Sequence, residues 1–355
     1  MDDTLRDVMA TTSPIVSEEW NITAEQLDLE ETISVHSRAI ADPLGVSVPL
    51  PFHVDLFPFG FLTRIKSNDA KIVQIAEQAW AHFPKRFVGK PVELRFVVSE
   101  GQSRRCPPSP IFRAQTNLLT VVADGRNFAT CDLAGGFGFA HLSQAAVRDP
   151  TYFRYNFLEA MTYTLLDALH VVGIHAACLV KDGAGFLFIG DSGSGKSSFA
   201  YACARRHWTY LSDDCTFILR RGTGRFALGN PRSFRFRPTA PMLFPEVEGP
   251  VVIRNGKPTI EIETERLSFV KTATECVINH VVFLSRLAKN NVTVHIDSLS
   301  RQEFLTRFSQ QHIWPPELDI WKERQDTIER LLDAQLLQLT YKDCRSAIQV
   351  LEQTI

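Results

Sequence analysis

One short segment constrains the fold more than any other part of the sequence. Gly190–Ser197 reads GDSGSGKS and matches the phosphate-loop pattern G-x-x-x-x-G-K-[ST]. In this pattern, glycines let successive main-chain N–H groups face phosphate oxygens, while the Lys contacts the outer phosphates and the hydroxyl contacts Mg²⁺. The residues predicted to bind the nucleotide are Gly190, Asp191, Ser192, Gly193, Ser194, Gly195, Lys196, Ser197 and Ser198.

The sequence predicts a strand before this motif and a helix after it, as a phosphate loop requires. Phe186–Ile189 is a short apolar run that predicts a buried strand entering the loop, and Ser198–Ala204 consists of good helix formers. A helix that begins at the loop adds the positive end of its dipole to the phosphate site. The alternative, a Gly/Ser turn with an unrelated lysine, explains the motif but not this order of strand, loop and helix.

Composition excludes several classes of protein. The chain has 355 residues, of which 45% are hydrophobic and 22% charged, as in soluble globular proteins with more than one domain. Its formal net charge of -2 gives no support to a nucleic-acid or membrane partner. The seven cysteines are scattered without a C-x-x-C pair, so neither a disulfide framework nor a zinc site is predicted. The acidic amino terminus lacks a signal-peptide pattern, which predicts a cytoplasmic protein.

The periodicity of apolar residues predicts two α/β units. We expect a polar segment over 1–55, an α+β domain over 56–150 and the nucleotide-binding domain over 151–355. In the first domain, the pattern predicts a helix over 70–83 and an antiparallel meander over 111–132. A long helical segment is predicted over 152–170 as the connection between the domains, and a hairpin over 174–189 leads into the loop. The aromatic clusters at 49–53 and 57–61 are expected to pack onto the first domain.

Two adjacent carboxylates follow the next predicted strand. Trp208–Ser212 reads as a strand that ends on Asp213 and Asp214, one helix and one turn beyond the loop. We expect this strand to lie beside the loop, where one carboxylate holds Mg²⁺ and the other accepts a proton from an attacking hydroxyl. The alternative is a strand-end turn with solvated carboxylates.

A histidine precedes the loop on the predicted hairpin. His175 falls on its first strand, and the partner strand delivers the chain into the phosphate loop. A histidine in an apolar strand is usually a core residue, so both a structural and a catalytic role are open at this point.

These residues together resemble a known family. The motif Gly-x-His-Ala at 173–176, the loop at 190–197 and Leu-Ser-Asp-Asp at 211–214 look like the catalytic domain of HPr kinase/phosphorylase, over about residues 170–240. The resemblance implies a phosphate-loop fold with a mixed sheet, also similar to phosphoenolpyruvate carboxykinases. It further implies that Asp214 is the general base, that Ser197 ligates Mg²⁺ with Asp213 nearby, that Lys196 holds the β- and γ-phosphates, and that His175 is the active-site histidine.

The sequence departs from that family at two places. Ser198 stands where the family has Glu, and the family's metal-binding Glu-Ile-Arg-Gly segment has no clear counterpart. The arginines in its approximate place, which could clamp phosphates or an acidic substrate, are Arg232, Arg235 and Arg237. A solvated basic strand explains them equally well, and Lys257 is a weaker candidate of the same kind. The first domain looks more like that of HPr-kinase-related proteins in peptide-modification pathways.

The sequence therefore predicts an ATP- and Mg²⁺-dependent kinase acting on a Ser or Thr hydroxyl of a protein, peptide or small molecule. One alternative is a regulatory or scaffold module that holds ATP without transferring phosphate. Another is a carboxykinase-like decarboxylating enzyme. No nucleic-acid or membrane partner is expected, and a homo-oligomer is left open.

Overall fold

The protein has a mixed α/β architecture built around three β-sheets. The computed structural model describes residues 48–101, 105–222, 224–254, 257–286, 294–309 and 321–354. Within these ranges the chain forms a seven-stranded, a ten-stranded and a three-stranded sheet, in agreement with the mixed α/β class that the sequence predicts. No helix in them has the length and apolarity needed to cross a membrane. Most of the polar segment predicted over 1–55 lies outside the described residues.

The first sheet comprises the strands that precede residue 144. Its elements are β1 (Phe52–Leu56), β2 (Thr63–Ser67), α1 (Ala70–Trp80), β3 (Val92–Ser99), β4 (Ile111–Gln115), β5 (Leu118–Asp124), β6 (Asn127–Asp132) and β7 (Phe137–Ser143). The strand order is β1-β2-β3-β7-β6-β5-β4. The predicted helix and meander are confirmed, and the aromatic cluster before β2 packs into the core through Phe59 and Phe61. Strands β1 and β7 were not predicted.

A helical segment follows, in agreement with the helical segment predicted over 152–170. It consists of α2 (Gln144–Arg148), α3 (Pro150–Phe153), a π-helical turn (Arg154–Glu159) and α4 (Ala160–Leu169). The π turn places Arg154, Tyr155 and Glu159 along one stretch that contacts the three-stranded sheet described below. Such turns are rare, and they occur often near functional sites.

The remaining chain forms the two other sheets and the helices that cover them. The elements are β8 (Val171–Ile174), β9 (Ala177–Lys181), β10 (Ala184–Ile189), α5 (Lys196–Ala204), β11 (Thr209–Ser212), β12 (Thr216–Leu219), β13 (Phe226–Leu228), β14 (Ser233–Phe236), β15 (Val251–Arg254), β16 (Lys257–Glu263), β17 (Lys271–Thr272), β18 (Glu275–Arg286), β19 (His295–Ser298), α6 (Arg301–Ser309), α7 (Trp321–Arg330), β20 (Gln335–Tyr341) and α8 (Cys344–Thr354).

The ten-stranded sheet runs β17-β11-β9-β10-β18-β13-β12-β8, with β20 on β18 and β19 on β20. The long strand β18 pairs with β13 through its first residues and with β10 and β20 through the rest. The three-stranded sheet has the order β14-β16-β15. The hairpin predicted to lead into the loop is present as the antiparallel pair β9–β10, and β12 and β13 form a second antiparallel pair.

Strand β10 is buried on both faces, as its uninterrupted apolar sequence predicts. Phe186 and Phe188 pack into the cluster that holds α5, α8 and the three-stranded sheet. Leu187 and Ile189 point the other way, into the cluster that holds α6. The strand that enters the phosphate loop is therefore held by two cores.

Candidate functional site

One edge of the ten-stranded sheet collects the polar residues singled out by the sequence. Strands β10, β18 and β20 are parallel to each other. Strand β11 has the same direction as β10, because both pair antiparallel with β9. The carboxyl ends of these strands and the start of β9 therefore meet at this edge. The residues found there are the loop 190–197, Arg286, Tyr341, Asp213, Asp214 and His175.

The loop adopts the tight conformation that its glycines permit. Gly193 and Gly195 have φ angles of 90° and 95°, a region that L-residues with side chains rarely adopt. Gly195 is the N-cap of α5, which starts at Lys196. The Lys196 side chain is buried, and its Nζ donates hydrogen bonds to the carbonyl oxygens of Gly190 (2.6 Å) and Asp191 (3.2 Å). Burial lowers the pKa of this ammonium group, although nearby Asp214 and Asp191 oppose the shift.

We expect Gly195→Ala to damage the loop. A Cβ at this position would stand 2.8 Å from the Tyr341 hydroxyl, which donates a hydrogen bond to the Ser194 carbonyl at 2.9 Å. Backbone strain at a positive φ costs about 1–3 kcal/mol, and the clash adds to it. The variant should have a lower melting temperature in thermal denaturation and a lower affinity for ATP.

Gly183→Ala is the matched control for this prediction. Gly183 also has a positive φ, of 84°, but a Cβ there would meet nothing within 4 Å. Equal losses of ATP affinity in the two variants would show that the contact with Tyr341 does not matter.

The two aspartates have different environments. Asp213 is 3% exposed, and its Oδ2 accepts the main-chain N–H of Arg235 at 2.7 Å. The Asp214 side chain is more open, at 37% exposed, with Oδ2 lying 3.4 Å from Arg235 Nη1. Strand β9 lies between β11 and β10, so the strand that ends at the aspartates is not the immediate neighbour of the strand that enters the loop. The carboxylates come near the loop because all these strand ends share one edge.

His175 lies between two strands and not within the hairpin, which corrects the prediction. Strand β8 ends at Ile174 and pairs with β12, whereas β9 begins at Ala177. The His175 Nδ1–H donates to the main-chain carbonyl of Asp214 at 2.8 Å and lies 3.4 Å from the Asp214 carboxylate. Partial burial and the Lys196 charge lower the pKa of the imidazole, although the Asp214 carboxylate opposes the shift.

A buried network of charges supports the aspartate pair. The Arg235 guanidinium lies 3.6 Å from Glu159 and 3.9 Å from Glu261, in addition to its contact with Asp214. Arg154 lies 3.0 Å from Glu261 and 3.5 Å from Glu159. Although burial alone would raise the pKa of Glu261, the two guanidinium groups lower it to about 2. The solvated-strand alternative therefore does not apply to Arg235.

The other predicted cations occupy different places. Arg232 lies outside the cleft lining, where it donates to the Gln78 carbonyl and lies 3.5 Å from Glu263. Arg237 and Lys257 are exposed and line the cleft. The structure thus brings Arg235, Arg237 and Lys257 to the site and leaves Arg232 away from it.

These groups surround a single cleft of about 960 Å³. This volume lies near the upper end for small-molecule sites. The predicted site residues in its lining are His175, Ser192, Gly193, Gly195, Lys196, Ser197, Ser198, Asp213, Asp214, Arg235 and Arg237.

The donor set in the cleft suits Mg²⁺ delivered with a nucleotide. No cluster of three or more His, Cys, Asp or Glu side chains in the described ranges is placed to hold a metal. Mg²⁺ needs no such cluster, because it takes one or two protein ligands and completes its shell with phosphate oxygens and waters. The Ser197 hydroxyl and an aspartate carboxylate in one cleft fit that requirement.

Sequence reasoning missed Arg286, Tyr341 and Glu159. Arg286 lines the cleft from the end of β18, and its position just after an apolar run was a signal that could have been used. Tyr341 supports the loop, and Glu159 supports Arg235. Neither carried a sequence signal, because both contacts come from segments far apart in the chain.

Known proteins offer distant similarities. The family model described as "SynChlorMet cassette protein ScmC" matches residues 142–242, less than a third of the chain. No curated protein matches. Among solved structures, the chain is similar to the Hpr(Ser) kinase/phosphatase from Coxiella burnetii at 12% identity and a TM-score of 0.28, over 51% of this chain and 93% of that one. Similarity at this level assigns no activity, which has to be inferred from the residues of the site.

Proposed function

We propose that the protein is an ATP- and Mg²⁺-dependent kinase that transfers the γ-phosphate to a Ser or Thr hydroxyl of a protein, peptide or small molecule. The observation that carries this proposal is the meeting of the loop and the aspartate pair at one sheet edge. A phosphate cradle and a nearby carboxylate base are the two parts that phosphoryl transfer to a hydroxyl needs. The sequence resemblance to the HPr kinase family supports the same activity and a domain fold of that type.

Asp214 is the proposed general base. Its partly exposed carboxylate can accept the proton of the acceptor hydroxyl as the oxygen attacks the γ-phosphorus in line and ADP departs. His175 holds the main chain at Asp214 through the hydrogen bond that its Nδ1–H donates. When the imidazole is neutral, its Nε2 can accept a hydrogen bond from the phosphate-accepting substrate. The more enclosed Asp213 is held by the Arg235 amide, which suits a positioning or metal-binding role.

The loop residues hold the nucleotide in this proposal. The Lys196 ammonium can exchange its loop carbonyl partners for β- and γ-phosphate oxygens, which are stronger acceptors. Ser197 and Asp213 would hold Mg²⁺, which when bound neutralises charge on the transferring phosphate. Arg286 adds a second cation at the same edge.

The test of this function uses Lys196→Met and transfer of labelled γ-phosphate to Ser-containing acceptors. Without the ammonium group, no buried cation stabilises the negative charge that develops on the phosphates in the transition state. The rate of phosphate transfer should therefore fall by about 10²–10³-fold. The fold should persist, because Met occupies a similar volume, and circular dichroism checks this. Lys181→Met is the control, since Lys181 ends β9 at the opposite edge of the sheet.

The outcomes separate the proposed functions. Labelled product with wild type and its loss in Lys196→Met support the kinase. Tight ATP binding without product or ADP release, over a broad set of acceptors, would instead identify a regulatory ATP-binding module.

A further inference from the structure

The cleft has two cationic regions on different elements. Lys196 and Arg286 lie at the sheet edge with the phosphate loop, where nucleotide phosphates are expected. Arg237 and Lys257 belong to the wall formed by the three-stranded sheet. A nucleotide whose phosphates lie at the loop would be next to the first region. The second region is therefore available to another anionic group.

The three-stranded sheet brings this second pair to one wall of the cleft. Arg235 of β14 pairs directly with Glu261 of β16, so their side chains share a face. Lys257 lies four residues before Glu261 on β16 and therefore shares this face, and Arg237 directly follows β14 and lines the same cleft. Thr259, two residues after Lys257 on β16, also lines the cleft.

The charges on this wall are not compensated by the neighbouring carboxylates. Glu261 is engaged by Arg154 and Arg235, and Glu263 by Arg232 and Arg266. Among the described residues, neither Arg237 nor Lys257 has an ion-pair partner. The wall therefore presents two exposed cations with the geometry to receive anionic groups.

This wall lies on the side of the proposed base. Arg235 joins it to Asp214, and the Lys257 charge contributes to lowering the pKa of His175, which contacts Asp214. In phosphoryl transfer, the acceptor approaches opposite the departing nucleotide. Cations beside the base, on another element than the loop, are thus placed for the acceptor.

Apolar groups continue this wall outward. Leu243 lines the cleft and is 50% exposed, and the adjacent Met242 is 84% exposed. A free serine or threonine is too small to cover these two side chains. In a peptide, the residues that flank the reacting hydroxyl can cover them. Charge and apolar surface together indicate a chain with carboxylates near its acceptor residue.

We propose that Arg237 and Lys257 form an acceptor subsite for a peptide segment that carries carboxylates next to its Ser or Thr. This inference rests on the proposed function and deepens it by naming the class of acceptor. Exposed charge pairs of this kind contribute modestly, so each cation should change peptide affinity by about 1.5-fold to fivefold, and less at high salt.

The experiment uses two fluorescent Ser peptides, one flanked by Asp and Glu and one by Asn and Gln. Their dissociation constants are measured by anisotropy with the full chain, Mg²⁺ and a non-hydrolysable ATP analogue, and KM values for peptide and ATP are measured in parallel. We expect tighter binding of the acidic peptide, and its loss in Arg237→Gln and Lys257→Gln. Matched controls are Arg113→Gln and Lys271→Gln, since both residues are exposed and lie outside the cleft lining.

Each outcome has a distinct meaning. Equal affinity of wild type for the two peptides overturns the inference, even if both peptides are phosphorylated. A loss of nucleotide affinity in the two variants, with peptide binding unchanged, also overturns it and assigns these cations to ATP. Cation-dependent binding of the acidic peptide without phosphate transfer upholds the subsite and removes the proposed kinase function.

Discussion

Asp214→Asn is expected to lower phosphoryl transfer by about 10²–10⁴-fold, the usual contribution of a general base. Asn preserves the shape of the side chain, and its carbonyl oxygen can still accept from Arg235 Nη1. It cannot take the proton from an acceptor hydroxyl. The loss should therefore fall on kcat, with ATP affinity and thermal stability close to wild type. Single-turnover transfer of labelled phosphate measures it.

The control for this prediction is Asp182→Asn. Asp182 is exposed in the β9–β10 turn with a φ of 49°, a conformation that Asn tolerates well. If Asp214→Asn transfers phosphate as fast as this control, Asp214 is not the base. A loss of ATP affinity as large as the loss of rate would place the carboxylate in metal binding instead.

Arg235→Met is expected to cause the largest loss of stability, about 3–5 kcal/mol. Its removal leaves Glu159 and Glu261 inside the protein with Arg154 as their shared cation. The side chain also contacts Asp214, so phosphate transfer should fall together with stability. Urea denaturation followed by circular dichroism gives the free energy of unfolding. Arg64→Met, which removes an exposed pair with Asp55, should cost less than about 1 kcal/mol.

The pH dependence of stability gives a second readout of the same network. The pKa of Glu261 is about 2 in the folded protein, below its unfolded value. Its contribution is therefore present above the unfolded pKa and is lost as the pH falls toward 2. In Arg235→Met the pKa of Glu261 in the folded protein should rise. The loss of stability on acidification should therefore begin at a higher pH. Adding Glu261→Gln to Arg235→Met should recover part of the stability, because the unpaired charge is removed. No recovery would mean that Glu261 is not the group left uncompensated.

Local sequence was sufficient to predict the structure where a motif and its flanking strand are adjacent in the chain. The loop, β10 and α5 have the order that the sequence predicts, and β11 ends on the aspartates as expected. The position of His175 was not predictable, because β8 and β9 are both apolar and follow each other with a break of two residues. Periodicity cannot separate such strands when they belong to different parts of a sheet.

Long-range packing decided the rest. The insertion of β9 between β11 and β10 follows from strand pairing that no short segment specifies. The contacts of Arg235 with Glu159 and Glu261 join a π turn to the three-stranded sheet. A sequence of arginines alone cannot show whether carboxylates elsewhere in the chain will meet them. For this reason the clamp, the solvated strand and the buried network could not be separated before the fold was known.

The double burial of β10 has a consequence for ligand affinity. Because Phe186 and Phe188 belong to one core and Leu187 and Ile189 to the other, the strand entering the loop is fixed when the protein folds. Conformational entropy at the start of the loop is thus lost during folding and not during association with a nucleotide. A binding site ordered in advance keeps more of its contact energy as affinity. Preorganisation of the proposed phosphate site is in this sense supplied by hydrophobic residues that lie outside it.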